Sequence, residues 1–400
     1  MDHDDEMVLP LGFRAAAVRA GIKSSGELDL AVLISDRPAA AAGTFTQNRV
    51  AAAPVHWDRA IVPRETARGV VINAGNANAA TGELGLANTR ATADAAAGVL
   101  GCRAEDVLIA STGVIGHQLP MDRLHDGLAL ALAEARPDVD SFRRASLAIL
   151  TTDTRPKVVS KRWTVGGEEI TLLGLAKGAA MIGPNMATML GFLLTDARVN
   201  TEDLRAILSE SVEVSFNCIS VEGHASTNDT VLILANGASG SEPLRGEALA
   251  EFAAAVELSC VELARMIPGD GEGATHRITI DVEGAPDRAA ARAIAQAVAN
   301  SPLVKTAIAG ADPNWGRIVS AAGYAGVDFA ERDLSLWLDG VELYRSGTPL
   351  PFDDAALSAA IRANRETHIK LVLAGGSASI RFWTCDLTAE YVRLNSDYTT

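Results

Sequence analysis

Short runs of β-branched and aliphatic residues alternate along this chain with longer alanine-rich stretches whose apolar residues recur every three or four positions. No other feature restricts the fold so strongly. Strand-like runs fall at 30–35, 69–73, 107–110, 169–175 and 188–194, then at 230–235, 277–282, 334–338, 369–373 and 379–384. Helical spacing covers 83–100, 121–135 after Pro120, 140–150 behind an N-cap at Asp138 or Asp140, 247–266 and 289–299. Thr201 is expected to cap a further helix running to about Val214, with Glu202 and Asp203 at its positive end. Strands and helices interleaved in this way imply a mixed α/β protein of layered sheets. At 400 residues the chain is long for one core, so two lobes are the expectation, although single large α/β domains exist.

Composition narrows the class. The hydrophobic fraction is 48%, charged residues make up only 21%, and there are 35 glycines, so the chain can bury a core and is not disordered. Aromatics contribute just 4%, which points to a core of Ala, Val and Leu with close element packing. The net charge of −15 argues against nucleic acid and anionic membrane surfaces as partners. Cys102, Cys218, Cys260 and Cys385 are scattered with no CxxC pair, so all four are expected as buried free thiols and no metal site is indicated. The acidic N-terminus lacks the basic and apolar regions of a signal peptide, and no apolar stretch reaches membrane length; a cytoplasmic protein is expected.

Six polar clusters stand at the ends of the regular segments. They are Asn73–Asn78, Ser111-Thr112-Gly113, Thr151–Thr154, Ser226–Thr230, Gly269–Thr275 and Asp312–Arg317. Asn, Gly, Ser and Asp each favour turns for local reasons, so any one cluster alone reads as turn chemistry. Six together suggest loops that bind a ligand on a rigid scaffold. Familiar nucleophile and phosphate motifs are missing: there is no GxxxxGK[ST], no GxSxG and no HExxH, and "GDGEGATH" lacks the strand–GxGxxG–helix order. The seven histidines are isolated, and His224 reads as a structural loop histidine.

A hydroxyl nucleophile without a histidine has one chemical escape. In "GAAMIGPNMATMLGFLLTD" (178–196), Thr188 begins an apolar run just after the Pro184-Asn185 turn. By strand pattern alone it is a core threonine. If the Ala187–Thr188 bond broke by attack of Thr188 Oγ on the preceding carbonyl, the new α-amine, of ordinary pKa about 8, would serve as the base of its own residue.

These residues resemble the ornithine acetyltransferase (glutamate N-acetyltransferase) family. The likeness is carried by the 177–190 segment and by "GFRAAAVRAGIK" (12–23), "INAGNANAATG" (72–82), "STGVIG" (111–116), "TTDTRPK" (151–157), "STNDT" (226–230), "GDGEGATH" (269–276), "ADPNWGRI" (311–318) and the terminal "WTCDLTAEYVRLNSDYTT", in the family's order. The resemblance implies a layered α/β sandwich of the ornithine acetyltransferase/DmpA type. That fold is N-terminal-nucleophile-like and is self-cleaved between Ala187 and Thr188 into an α chain (1–187) and a β chain (188–400) intertwined around one site.

The resemblance also implies roles. Thr188 is the nucleophile, and Thr112 and Gly113 form the oxyanion hole. Thr151 or Thr152, Lys177, Glu272, Asn395 and Thr400 contact substrate. Lys177 would pair with an α-carboxylate and Glu272 with the second ammonium of ornithine, while a functional Thr400 requires an ordered C-terminus. The implied reaction is ping-pong transfer of acetyl from N2-acetylornithine to glutamate in arginine biosynthesis, without a metal or organic cofactor. Acetyl-CoA is a possible further donor, and a dimer of αβ units is the implied assembly. The alternative is an N-terminal-threonine amidohydrolase or aminopeptidase with water as acceptor; a third reading is a non-catalytic binding protein. Gly183, Glu222 and His224 depart from residues common in the family and leave the acceptor range open.

Overall fold

The computed structural model describes residues 7–165, 167–183, 189–240 and 242–397. Two sheets organise them. The first contains β1 (Phe13–Val18), β2 (Leu30–Phe45), β3 (Arg64–Asn76), β4 (Val107–Val114), β5 (Lys157–Val165), β6 (Glu168–Lys177), β7 (Leu190–Thr195) and β8 (Thr230–Ala235), in the order β4-β3-β2-β8-β7-β6-β5. β1 pairs with the first half of β2, and β8 with its second half, from Ala40 to Phe45. The second sheet holds β9 (Arg277–Ala285), β10 (Leu334–Leu338), β11 (Val341–Arg345), β12 (Thr348–Pro349), β13 (Glu366–Leu373) and β14 (Ala378–Cys385), in the order β12-β11-β10-β13-β9-β14.

The helices are α1 (Ala53–Ile61), α2 (Gly82–Leu100), α3 (Met121–Glu134), α4 (Val139–Ala148), α5 (Thr201–Val214), α6 (Gly246–Met266), α7 (Arg288–Ala299), α8 (Pro302–Ala309), α9 (Trp315–Gly323), α10 (Asp354–Ala363) and α11 (Ala389–Asp397). They cover both faces of the first sheet, which explains why β7 and β8 read as unbroken apolar runs: every residue of both strands is buried. Successive residues still face opposite ways. Val231 and Ile233 enter one core with α5, α6 and the second sheet, while Leu232 and Leu234 enter another with Phe13 and Phe142. A third cluster joins Ala93, Ala96 and Ala97 of α2 to Leu128 of α3 and to Val32 and Val71. Small residues on α2 let the helix lie close to the sheet, as the low aromatic content implied.

Core packing does not respect two lobes. One buried cluster runs continuously from Val159 and Leu172 through Phe252 and Leu263 of α6 to Ile280 and Phe382 of the second sheet, so the two-lobe expectation gives way to sheets sharing a core. Gly174 lets α6 lie close against β6, because a Cβ there would meet Leu263 Cδ1 at 2.7 Å.

Several expected elements shift. The cap of α5 is Asn200, whose side chain accepts from Asp203 N at 2.8 Å, and Thr201 is the first helical residue. Asp138 caps α4. The Asn73–Asn78 and Ser111–Gly113 clusters do not follow their strands: β3 runs to Asn76 and β4 to Val114, paired in parallel throughout. Cys102 is half-buried, unlike the other three thiols. Helices α1, α8, α9, α10 and α11 and strands β1, β5, β11 and β12 escaped the sequence pattern because they are short or carry polar residues on half-exposed faces.

Candidate functional site

The parallel pairing of β3 with β4 brings Gly75 opposite Gly113 and Ala74 opposite Thr112. Gly113 has φ 133°, and a Cβ on it would lie 2.3 Å from the Gly75 carbonyl carbon, so neither backbone nor space admits another residue. This crossing opens a cavity lined by Thr112, Gly113, Thr151, Thr152, Lys177, Ser226, Thr227, Asn228, Glu272 and Asn395, with Ala77, Ile115, Ala180 and Met181 as its apolar part. Thr112, Gly113, Thr151, Thr152, Lys177, Glu272 and Asn395, each named from the sequence, therefore meet in one place although they come from five separate segments. Ala187, Thr188 and Thr400 lie outside the described residues, as does the 184–186 turn.

Lys177 ends β6 at the floor of this cavity and is 2% exposed. Its ammonium donates to Thr151 Oγ1 at 2.7 Å and Thr112 Oγ1 at 3.2 Å. A hydroxyl oxygen that accepts from an ammonium directs its own hydrogen elsewhere, and that hydrogen is a stronger donor for it. Both threonines are thereby set up as donors. The charge is balanced from behind. Asp153 lies 3.7 Å from Lys177 and 2.7 Å from Lys157, and accepts from Gly178 N at 2.5 Å. Lys157 reaches Asp270 at 2.6 Å, so two lysines and two aspartates compensate one another. Burial works against ionisation of Asp153, but the Lys177 and Lys157 ammoniums outweigh it and hold the carboxyl at about 2. Burial lowers the Lys177 pKa, with Asp153 opposing the shift and Lys157 adding to it.

The opposite wall is the 269–275 loop. Glu272 N donates to Ala179 O at 3.0 Å, and the Glu272 carboxylate accepts from Asn395 Nδ2 of α11 at 2.8 Å. The third wall is the loop before β8. Asn228 Nδ2 donates to Ala77 O at 2.7 Å and Ser111 O at 2.8 Å, tying this loop to the ends of β3 and β4. Asp229, fully buried, accepts from Met189 N at 3.1 Å.

The approach from 181 to 183 is held by the 220–223 loop. Ile182 N donates to Glu222 Oε1 at 2.5 Å, while Ile182 O accepts from Val221 N at 2.9 Å and Gly223 N at 3.0 Å. Burial pushes the Glu222 carboxyl up to about 8 against the Ile182 amide and the Lys305 charge. A Cβ on Gly183 would meet the Gly223 carbonyl carbon at 2.4 Å, so the two loops approach this closely only with glycine at 183.

Sequence reasoning left out Asp153, Lys157, Asp270 and Asn228 as site residues. Each sits in a quoted polar cluster or beside one, but only the fold shows Asp153 and Asp270, 117 positions apart, sharing one lysine. Other clusters prove structural. Asn73, Asn76 and Asn78 brace the β3 end internally, with Asn73 Nδ2 on Asn76 O at 2.8 Å and Asn78 Nδ2 on Thr89 Oγ1 at 2.9 Å. Asn314 caps α9, Trp315 stacks on Tyr344, and no residue of 312–317 lines the cavity. His224 is exposed. Among the described residues no group of three or more His, Cys, Asp or Glu is placed to hold a metal ion, and no helix is long and apolar enough to cross a membrane.

Comparison with known proteins identifies the relatives of this arrangement. The ArgJ family model matches residues 14–400. The arginine biosynthesis bifunctional protein ArgJ of Rhodopirellula baltica is 45% identical over 396 residues, covering 98% of this chain and 97% of its own. The protein of the same name from Thermus thermophilus is 48% identical over 394 residues, covering 98% and 99%. The crystal structure of arginine biosynthesis bifunctional protein ArgJ from Bacillus halodurans superposes with a TM-score of 0.51 at 36% identity, covering 52% of this chain and 98% of that one.

Proposed function

The chain belongs to the ArgJ family of arginine-biosynthetic acyltransferases, and on that premise we propose that it is a glutamate N-acetyltransferase that cleaves itself before Thr188 and carries acetyl on that residue. The observation that carries the reading is the Lys177 ammonium bridging the Thr112 and Thr151 hydroxyls beside Gly113. Leu190, two residues after Thr188, is the cross-strand neighbour of Lys177 on β6. The register thus directs the start of β7 toward the donors that an acyl-transfer intermediate needs.

In the first half-reaction the Thr188 α-amine takes the Oγ proton, and Oγ attacks the acetyl carbonyl of N2-acetylornithine. The Thr112 hydroxyl and Gly113 N–H stabilise the oxyanion, a contribution of about 10²–10³ in rate per donor. The ammonium then protonates the leaving α-amine of ornithine. Glutamate repeats the sequence in reverse on the acetyl-enzyme. Thr151, Thr152 and Lys177 meet the substrate's polar groups at one end. Glu272, oriented by Asn395, meets a cationic side chain at the other. No cofactor enters this scheme, and acetyl-CoA is a further possible acetyl donor.

The matched length of the Bacillus halodurans chain supports a cut: 98% of it corresponds to only 52% of this chain, close to the share a fragment beginning at Thr188 would hold. The test uses N2-acetylornithine with and without glutamate. Ornithine release that requires glutamate, with N-acetylglutamate formed in equal amount, is expected. Release indifferent to glutamate would assign the protein to hydrolysis instead.

A further inference from the structure

β4 ends the first sheet, so one of its edges has no neighbouring strand among the described residues. Side chains finish that edge instead. On a strand every second residue turns its N–H and C=O to the same side. Trp57 Nε1 of α1 donates to Val107 O at 3.0 Å, and Asp58 Oδ1 accepts from Ile109 N at 2.9 Å. Asn228 Nδ2 then donates to Ser111 O at 2.8 Å. Gly113 is next in this alternation, and it lines the cavity. The same Asn228 nitrogen donates to Ala77 O at 2.7 Å, two residues beyond the Gly75 that crosses Gly113. Both hydrogens of one planar amide are thus used on the two strand ends that form the crossing. That side-chain amide is itself held. Its Oδ1 accepts from Thr227 Oγ1 at 2.6 Å, Asn228 N donates to Ser226 Oγ at 3.0 Å, and Ala52 N donates to Thr227 O at 2.8 Å.

We propose that Asn228 is a positioning residue of the oxyanion hole, whose side-chain amide sets the Thr112 hydroxyl and the Gly113 N–H at the angle the acyl oxygen requires. This rests on the reading of Thr112 and Gly113 as the oxyanion donors. Glycine imposes little on its own backbone, and at φ 133° Gly113 holds a conformation that its surroundings must fix. Ser111 O and Thr112 N belong to one peptide plane. The Asn228 bond to Ser111 O therefore fixes the rotation of that plane, and with it the direction of the Thr112 side chain. Lys177 directs the Thr112 hydrogen, while Asn228 places the backbone that carries it. On the far side of Gly113, Ala77 N donates to Val114 O at 2.9 Å. The Asn228 bond to Ala77 O holds that side through the same amide. Gly113 is clamped between 111 and 114. Asn228 acts through the two donors and makes no bond of its own to the reacting atoms.

The test is a double-mutant cycle of Asn228→Ala with Thr112→Val. It is read as ornithine released from N2-acetylornithine with glutamate present, per cleaved chain counted by intact mass. Asn228→Ala alone should lower kcat by about 10- to 100-fold and change KM by less than about twofold. Because both substitutions damage the same hole, the double variant should lose about tenfold less than the product of the two single losses. Losses that simply multiply, or an effect confined to KM, would overturn the proposal. If Asn228→Ala does not fold or is not cut, Thr227 decides. Thr227→Val removes the hydroxyl that orients the Asn228 side chain and leaves that side chain in place. It should lower kcat about tenfold at unchanged KM, and Thr227→Ser should restore the rate. A Thr227→Val enzyme as fast as wild type, or a Thr227→Ser enzyme as slow as Thr227→Val, overturns the role of Asn228 and leaves the acetyl-transfer reading intact. A wild-type chain that releases no ornithine refutes that reading, and the role falls with it.

Discussion

Lys177 illustrates how one buried charge prepares two neutral groups. By donating to Thr112 and Thr151 it fixes where their hydrogens point, and Asp153 behind it removes the cost of an uncompensated cation. Thr112→Val keeps shape and removes the donor. It should lower kcat by about 10²–10³ with little change in KM, because an oxyanion contact is made in the transition state. Steady-state kinetics with N2-acetylornithine checks this, and a change confined to KM would contradict it.

Glu222 gives a second prediction at the same scale. Its carboxyl is raised to about 8, so between about pH 4.5 and 8 the folded protein holds a proton that the unfolded chain has lost. Its contribution to stability is therefore full below pH 4.5 and declines as pH rises to 8. Glu222→Gln should flatten that decline, read from urea midpoints at pH 5 and pH 8. At this scale the sequence was most informative. Thr112, Gly113, Lys177 and Glu272 stand in recognisable blocks, whereas Glu222 was noted only as a departure. Nothing local reveals that its carboxyl caps Ile182 N.

Between elements, the site depends on joints at the strand ends. Asp153 links the turn before β5 to the end of β6 through Lys157, Lys177 and the Gly178 amide, and Asp270 carries the link to the loop bearing Glu272. Asp153→Asn leaves two buried lysines with one aspartate between them and should destabilise the fold by about 3–5 kcal/mol. Because Asp153 titrates near 2 in place of its ordinary 3.8, its stabilisation is present above pH 3.8 and lost as pH falls toward 2. Acid unfolding of the variant should therefore lack that component, as circular dichroism between pH 5 and pH 2 would report. Long apolar and Ala-rich segments were legible because periodicity survives in them: 230–235 and 334–338 match β8 and β10 end to end. The joints were not legible. A small polar residue between elements looks the same in sequence whether it caps a helix, as Asn314 does, or faces a cavity, as Thr151 does.

Across the whole molecule, the position of the proposed cut is unusual. β7 and β8 follow it, yet they lie in the middle of the first sheet between β2 and β6, which precede it. The largest buried cluster likewise draws on both sides, from Val159 and Leu172 to Ile280 and Phe382. Fragments 1–187 and 188–400 should thus stay together through gel filtration and separate only with global unfolding, in one cooperative transition. Separation in native buffer would contradict the shared core. Sequence alone suggested two lobes because length is counted without knowing which strands pair. The strand order, which depends on contacts between residues hundreds of positions apart, is what makes one body of two halves.

The most direct measurement is the intact mass of the purified protein before and after brief exposure to N2-acetylornithine without glutamate. The account predicts two masses, those of 1–187 and 188–400, with a single acetyl group added to the second and mapped to Thr188. A single mass for the whole chain, or an acetyl group on any other residue, would contradict it.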